Sequence, residues 1–158
     1  MGATMTADSL VERELSRPDW SRLNEIEGAA TGIPVALREL LSAQSAEDVT
    51  RAYWKLENRV VVQGQLFEAA IHCIPVLLAA LISQERPRFV RIGILELMFQ
   101  IVNGSTHEEE VKRGLCNVDV RCRLSAKHGL WLLYREVVYG ETDAATDILN
   151  IIDGEREV

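Results

Sequence analysis

The chain repeats itself, and this limits its possible folds more than any single motif. With residue 33 set against residue 74, an offset of 41, IPVALRELLSAQSAEDVTRAYWKL lies without a gap on IPVLLAALISQERPRFVRIGILEL. Ile33 meets Ile74, Pro34 meets Pro75, Val35 meets Val76, Leu37 meets Leu78, Leu40 meets Leu81 and Ser42 meets Ser83. Further along, Val49 meets Val90, Ala52 meets Gly93 and Leu56 meets Leu97. Two apolar helices can share leucines by chance, but they less readily share a proline and a serine as well. Self-similarity at a period of a few tens of residues marks stacked supersecondary units that bury one continuous core.

Each copy has two halves. The first is an apolar helix with a proline in it, closed by Ser and polar residues. The second is amphipathic: Val90, Ile94, Leu97 and Ile101 step by four, three and four, which is one face of a helix. Val49, Ala52, Tyr53 and Leu56 do the same in the first copy. Ser45, with Asp48 three residues on, opens that helix. Pro87 sits near the start of the matching one, and Asn103–Gly104 closes it. The run VVVQGQLFEAAIHCIPVLLAALI at 60–82 is therefore read as a repeat helix from about Gln63 to Ser83, kinked at Pro75. The valines ahead of it are read as a connection or frayed first turn, a short strand having no evident partner. A membrane span is rejected, because Glu68 and His72 interrupt a run that falls short of about 20 apolar residues.

Helix pairs with a period near 40, a proline in the first helix and Val-Arg opening the second resemble HEAT repeats. Val90-Arg91 carries the dipeptide, and Asp119-Val120-Arg121 carries it again; Thr50-Arg51 is off by one. The step from Val90 to Val120 is 30 residues, so the third unit has a shortened first helix at about 108–115 and a second at about 119–138, ending at Gly140. Residues 142–153 make a final amphipathic helix, and Trp20, Leu23 and Ile26 begin the first unit. The expectation is an all-α protein: a short HEAT-like α-solenoid of about three helix pairs plus a C-terminal helix. Residues 1–16 are a flexible N-terminal segment, and 17–158 form one helical-repeat domain.

Nothing in the chain names a reaction. Phosphate loops, dinucleotide fingerprints and serine-hydrolase elbows are missing. His72 lies in an apolar helix and reads as a packing residue, and His128 as structural or groove-lining. His107-Glu108 is a single pair, whereas helical-repeat iron enzymes such as deoxyhypusine hydroxylase use several. Glu108, Glu109 and Glu110 read as favourable charge at a helix start. Cys73, Cys116 and Cys122 form no zinc spacing, and their odd number argues for reduced thiols in a cytoplasmic protein. MGATMTADSLVERELSRPDW lacks a basic region followed by an apolar one, so it is not read as a secretion signal; MGATMT fits a myristoylation pattern only superficially. No cofactor and no metal are expected.

Charge says more. Arg51, Lys55 and Arg59 recur every four residues; Arg86, Arg88 and Arg91 cluster in the second unit, and Arg121, Arg123 and Lys127 in the third. In a solenoid such groups line one surface. They are either solvated faces with local ion pairs, such as Glu47 with Arg51, or a groove for an acidic patch, peptide or nucleic acid. The net charge of −7 stands against nucleic acid and suits a basic protein partner. Small helical-repeat chains with phrases like AYWKLENRVVVQGQLFEAA resemble immunity proteins encoded beside bacterial polymorphic toxins. The resemblance implies a non-enzymatic module that occludes a toxin, with partner-binding residues Arg51, Trp54, Lys55, Arg91, Glu96, Gln100, Arg121 and Trp131 on second helices. Two alternatives remain: a scaffold subunit, or a nucleic-acid-binding protein similar to the HEAT-like DNA glycosylases, with Glu96 beside the damaged base.

Overall fold

The second copy of the repeat forms the centre of the molecule. In the computed structural model, which describes residues 4–154, helix α4 (Ala69–Leu81) has eleven of its thirteen residues buried. Residues 1–3, with the start of MGATMT, and residues 155–158 lie outside the described part. Around α4 pack α1 (Ala7–Ser16), α2 (Ile33–Leu41), α5 (Arg88–Val102) and α7 (Val118–Lys127). Helix α3 (Ala46–Val60) lies on α2 and α5. Helix α9 (Thr142–Asp153) lies on α5 and on α8 (Leu130–Tyr139), and the short α6 (Glu108–Lys112) precedes α7. The described residues are mostly helical, and none of their helices is long and apolar enough to cross a membrane.

The repeat is visible in the second helices. Both α3 and α5 have 15 residues, they pack side by side, and α5 packs on α7 in turn. Ser45 caps α3, its hydroxyl accepting from Asp48 N at 3.1 Å. At the α3–α5 contact, a Cβ on Gly93 would fall 2.6 Å from Val49 Cγ1, so glycine permits the close approach. The first helices are less alike. Pro75 lies inside α4, whereas Pro34 lies in the first turn of α2, where a missing N–H costs little. The five residues of α4 ahead of the aligned start are Ala-Ala-Ile-His-Cys; their counterparts, Gly28 to Gly32, open and close on glycine and make a hairpin end instead.

Four expectations are corrected. Residues 7–16 are not loose: Thr6 and Ser9 form a reciprocal cap, and Val11 and Leu15 are buried as α1 packs on α4. Of the three valines before α4, Val60 ends α3 and the other two form a strand. β3 (Val61–Val62) pairs antiparallel with β4 (Gln65–Leu66) through a two-residue turn in which Gln63 and Gly64 both have positive φ, the geometry that suits strand twist. β4 also pairs in parallel with β5 (Ser105–Thr106), so α4 starts at Ala69 rather than near Gln63. Ile26 does not begin a helix but sits in the turn of a hairpin between β1 (Asn24–Glu25) and β2 (Gly28–Ala29). The helix expected over 119–138 is two, α7 and α8, separated at His128–Gly129. A Cβ on Gly129 would stand 2.1 Å from Leu78 Cδ2, so the break sits where the chain presses on α4.

Buried polar groups tie these parts together. Glu110 of α6 is fully buried; its carboxylate accepts from the Glu68 backbone N at 2.8 Å, capping α4 from outside, and from Asn24 Nδ2 at 3.4 Å, and it pairs with Arg113. The Trp20 indole donates to the Leu15 carbonyl at 2.8 Å.

Candidate protein-binding face

Helix α8 is as apolar in sequence as a core helix, LWLLYREVVY, yet only Leu133 and Glu136 are fully buried. Trp131 is 80% exposed and Tyr139 81%. Trp131, Tyr134 and Val138, at i, i+3 and i+7, share one stripe, all exposed. The Trp131 and Tyr134 rings meet edge to face at 5.3 Å. Val120 and Leu124, four apart on α7, are exposed as well. Soluble chains seldom leave aromatics of this size grouped on one helix without a partner.

Beside the stripe, between α5 and α8, lies a cleft of about 500 Å3 lined by Gln84, Arg91, Arg135, Glu136, Tyr139 and Gly140. Glu136 folds back so that its Oε2 accepts from the Glu141 backbone N at 3.1 Å. Gly140 makes this possible, for a Cβ there would lie 2.0 Å from that oxygen. Arg91 Nη2 stands 3.7 Å from Glu136 and 3.5 Å from Glu141, and Arg88 Nε donates to Glu141 at 2.8 Å. Arg135 donates through Nη2 to the Leu81 and Ile82 carbonyls at the end of α4.

The residues expected to bind a partner do not form one continuous site. Arg51 and Lys55 of α3 line a shallow depression, where they pair with Asp48 at 3.0 Å and Glu39 at 2.9 Å. Trp54 is half-exposed next to Tyr53, whose hydroxyl burial and Glu57 push upward in pKa. Glu96 is exposed and Gln100 half-buried on α5, and Arg121 is half-buried on α7. Arg91 lines the cleft and Trp131 the stripe. The basic residues carry local carboxylates: Arg86 pairs with Asp8 at 2.7 Å, Arg88 with Glu141, and Arg123 with Asp119 at 3.5 Å. This is the ion-paired alternative. Sequence reasoning missed Val138, Tyr139, Arg135 and Glu136. The available signal was the spacing of Trp131, Arg135 and Tyr139, at i, i+4 and i+8, ahead of Gly140.

Other reactive groups have structural work. Burial raises the thiol pKa of Cys73, and that of Cys122 up to about 12, so neither is a thiolate at neutral pH. His107 Nδ1 accepts from Glu109 N at 3.0 Å and stacks on Phe67. His72 meets Trp20 edge to face at 6.4 Å, and burial together with Arg121 lowers its pKa. His128 is exposed and lines a groove between α1 and α8. Among the described residues, no three His, Cys, Asp or Glu converge in a way that could hold a metal ion. No protein-family profile, curated protein or solved structure matches this chain.

Proposed function

We propose that this chain is a non-enzymatic protein-binding module in a HEAT-like arrangement, working in the cytoplasm as an immunity protein that occludes a basic bacterial toxin domain. The observation that carries the binding reading is the exposed stripe of Trp131, Tyr134 and Val138, with Tyr139 alongside. Tyr and Trp dominate the energetic centres of protein interfaces, since they cover large areas with few rotors to freeze. The net charge of −7 supports a basic partner through long-range attraction. The ion pairing of the arginine clusters weighs against nucleic acid, which needs uncompensated cations to displace counterions. The toxin partner itself rests on the sequence resemblance.

The test is affinity capture from the native cell's lysate at low and moderate salt, read by mass spectrometry, with Trp131→Ser/Tyr134→Ser as a second bait. One stoichiometric protein is expected on the wild type and not on the variant, and its toxicity on expression should be relieved by co-expressing this chain. A captured but harmless partner overturns the immunity reading in favour of a scaffold. Nucleic acid in its place, removed by salt or nuclease, overturns both.

A further inference from the structure

The cleft beside α8 is lined by guanidinium groups whose hydrogen-bond donors its own residues do not all satisfy. The Arg91 side chain is 17% exposed, and its nearest carboxylate oxygens, at 3.5 and 3.7 Å, hold it by charge rather than by short hydrogen bonds. A guanidinium has five donors in a fixed fork, and a buried one is ordinarily both paired and hydrogen-bonded. Arg91 Nε is buried without an acceptor, and so is Arg135 Nε on the facing helix. Two under-satisfied guanidinium groups therefore line one cavity, large enough for a carboxylate and its stem. Among the described residues lining it, Arg91 and Arg135 outnumber the one carboxylate, Glu136, by a single positive charge, while Glu141 beyond the lining is shared by Arg91 and Arg88. That balance suits a singly charged acceptor better than a phosphate dianion.

We propose that this cleft receives an aspartate or glutamate side chain of the partner, whose neighbouring apolar residue lies against Tyr139 and the α8 stripe. The assignment rests on the reading of α8 as the partner face. The helix period supplies the geometry: Trp131, Arg135 and Tyr139 lie four residues apart in turn, so Arg135 stands between the two most exposed aromatics. Arginine recognises a carboxylate through two parallel N–H···O bonds, which also fix the direction of approach. The overall acidity attracts a basic domain from a distance, and the cleft then reads one acidic residue at contact, setting the docking register.

The test needs no partner. Arginine Nε–Hε resonances of the 15N-labelled full chain are followed while sodium acetate, N-acetyl-Leu-Glu-amide or sodium phosphate is added, with chloride at matched ionic strength as control. The expected result is a saturable shift of the Arg91 and Arg135 signals with acetate and with the peptide. The peptide should bind about tenfold tighter than acetate, because part of a leucine is buried as well. The Arg135 shift should be lost in Arg91→Gln/Glu136→Gln, which removes one of the two guanidinium groups together with its carboxylate and whose helicity is checked by circular dichroism. Tyr139→Ala should reduce only the peptide's advantage. No saturable shift, or one that chloride reproduces, overturns the proposal. Tighter binding of phosphate, or a peptide no better than acetate, overturns the assignment to a partner side chain. A working cleft with no captured protein would instead count against the binding-module reading alone.

Discussion

Helices α4 and α8 are both mostly apolar in sequence, α4 the more strongly, and they have opposite fates. In α4, eleven of thirteen residues are buried, enclosed by α1, α2, α5 and α7. In α8, two of ten are buried, and the aromatics face outward. Leucine content does not set the difference, for each helix carries three. The difference lies in the neighbours. The third unit's first helix shrinks to the five residues of α6, and α9 is the main helix packed on α8. Apolar content that is buried in α4 is left exposed in α8, where the proposed function has it serve association.

The sharpest way to break this comparison is to truncate one residue on each helix. Leu77→Ala removes a fully buried side chain and should cost about 2–5 kcal/mol in urea unfolding. Trp131→Ser deletes a larger side chain, yet should stay within about 0.5 kcal/mol, because its surface already meets water. The same Trp131→Ser should weaken the captured complex by about 2 kcal/mol or more, roughly thirtyfold in Kd. If Trp131→Ser unfolds the chain as readily as Leu77→Ala, the division between a stabilising and an associating helix fails.

A smaller effect is expected at the joint between the two. Gly129→Ala places a methyl against Leu78, deep in α4, and should cost about 1–3 kcal/mol by overpacking, measured by thermal or urea unfolding. Recovery on combining it with Leu78→Ala would locate the strain in that contact. A neutral Gly129→Ala would mean that the α7–α8 break is not set by packing on α4.

How far this division was legible in the sequence varies along the chain. The start of α3 at Ser45 and the span of α9 at 142–153 could be read from caps and periodicity, because both are local. The 41-residue offset anticipated the matching lengths of α3 and α5. The hairpins could not be read this way, since strands of two residues have no period; only Gln63–Gly64, a turn needing positive φ, hinted at one. Nor could the α7–α8 break: His128 keeps helical backbone angles, Gly129 leaves them at φ −103° and ψ 20°, and what it presses on is Leu78, some fifty residues away. Periodicity finds an apolar face but not whether anything covers it: Trp131 is named among the candidate binding residues and is exposed, while the exposed Val138 and Tyr139 are not named. Arg91 was noticed through its Val-Arg dipeptide. Its facing partner Arg135 was not, because the cleft is made by tertiary contact rather than by spacing.

A titrating contrast is smaller again. Glu25 of β1 is buried with Oε2 lacking a partner, and burial raises its pKa despite Arg59 nearby. A carboxyl whose folded pKa lies above its unfolded one favours folding at low pH and loses that advantage as pH rises through the folded pKa. At neutral pH Glu25 therefore opposes folding, and Glu25→Gln should stabilise by about 1 kcal/mol, with the gain shrinking toward pH 4. A gain that does not change with pH would point to packing rather than charge.

The smallest expected effect belongs to α4 itself. His72 lies where that helix meets Trp20, and its folded pKa is below the ordinary value near 6.5, through burial first and Arg121 second. Above about pH 6.5 the imidazole is neutral in both states and its packing contribution is complete. Below that, the unfolded chain takes up the proton first, so stability falls as pH drops through the folded pKa, after which no more is lost. His72→Gln should remove this slope below about pH 6.5, while leaving the acid sensitivity due to carboxylates at lower pH. Because the stripe of Trp131, Tyr134 and Val138 holds no histidine, its own contribution to partner binding over the same range should not share the slope. If it does, α4 and α8 are coupled, and burial in one helix sets the readiness of the other to bind.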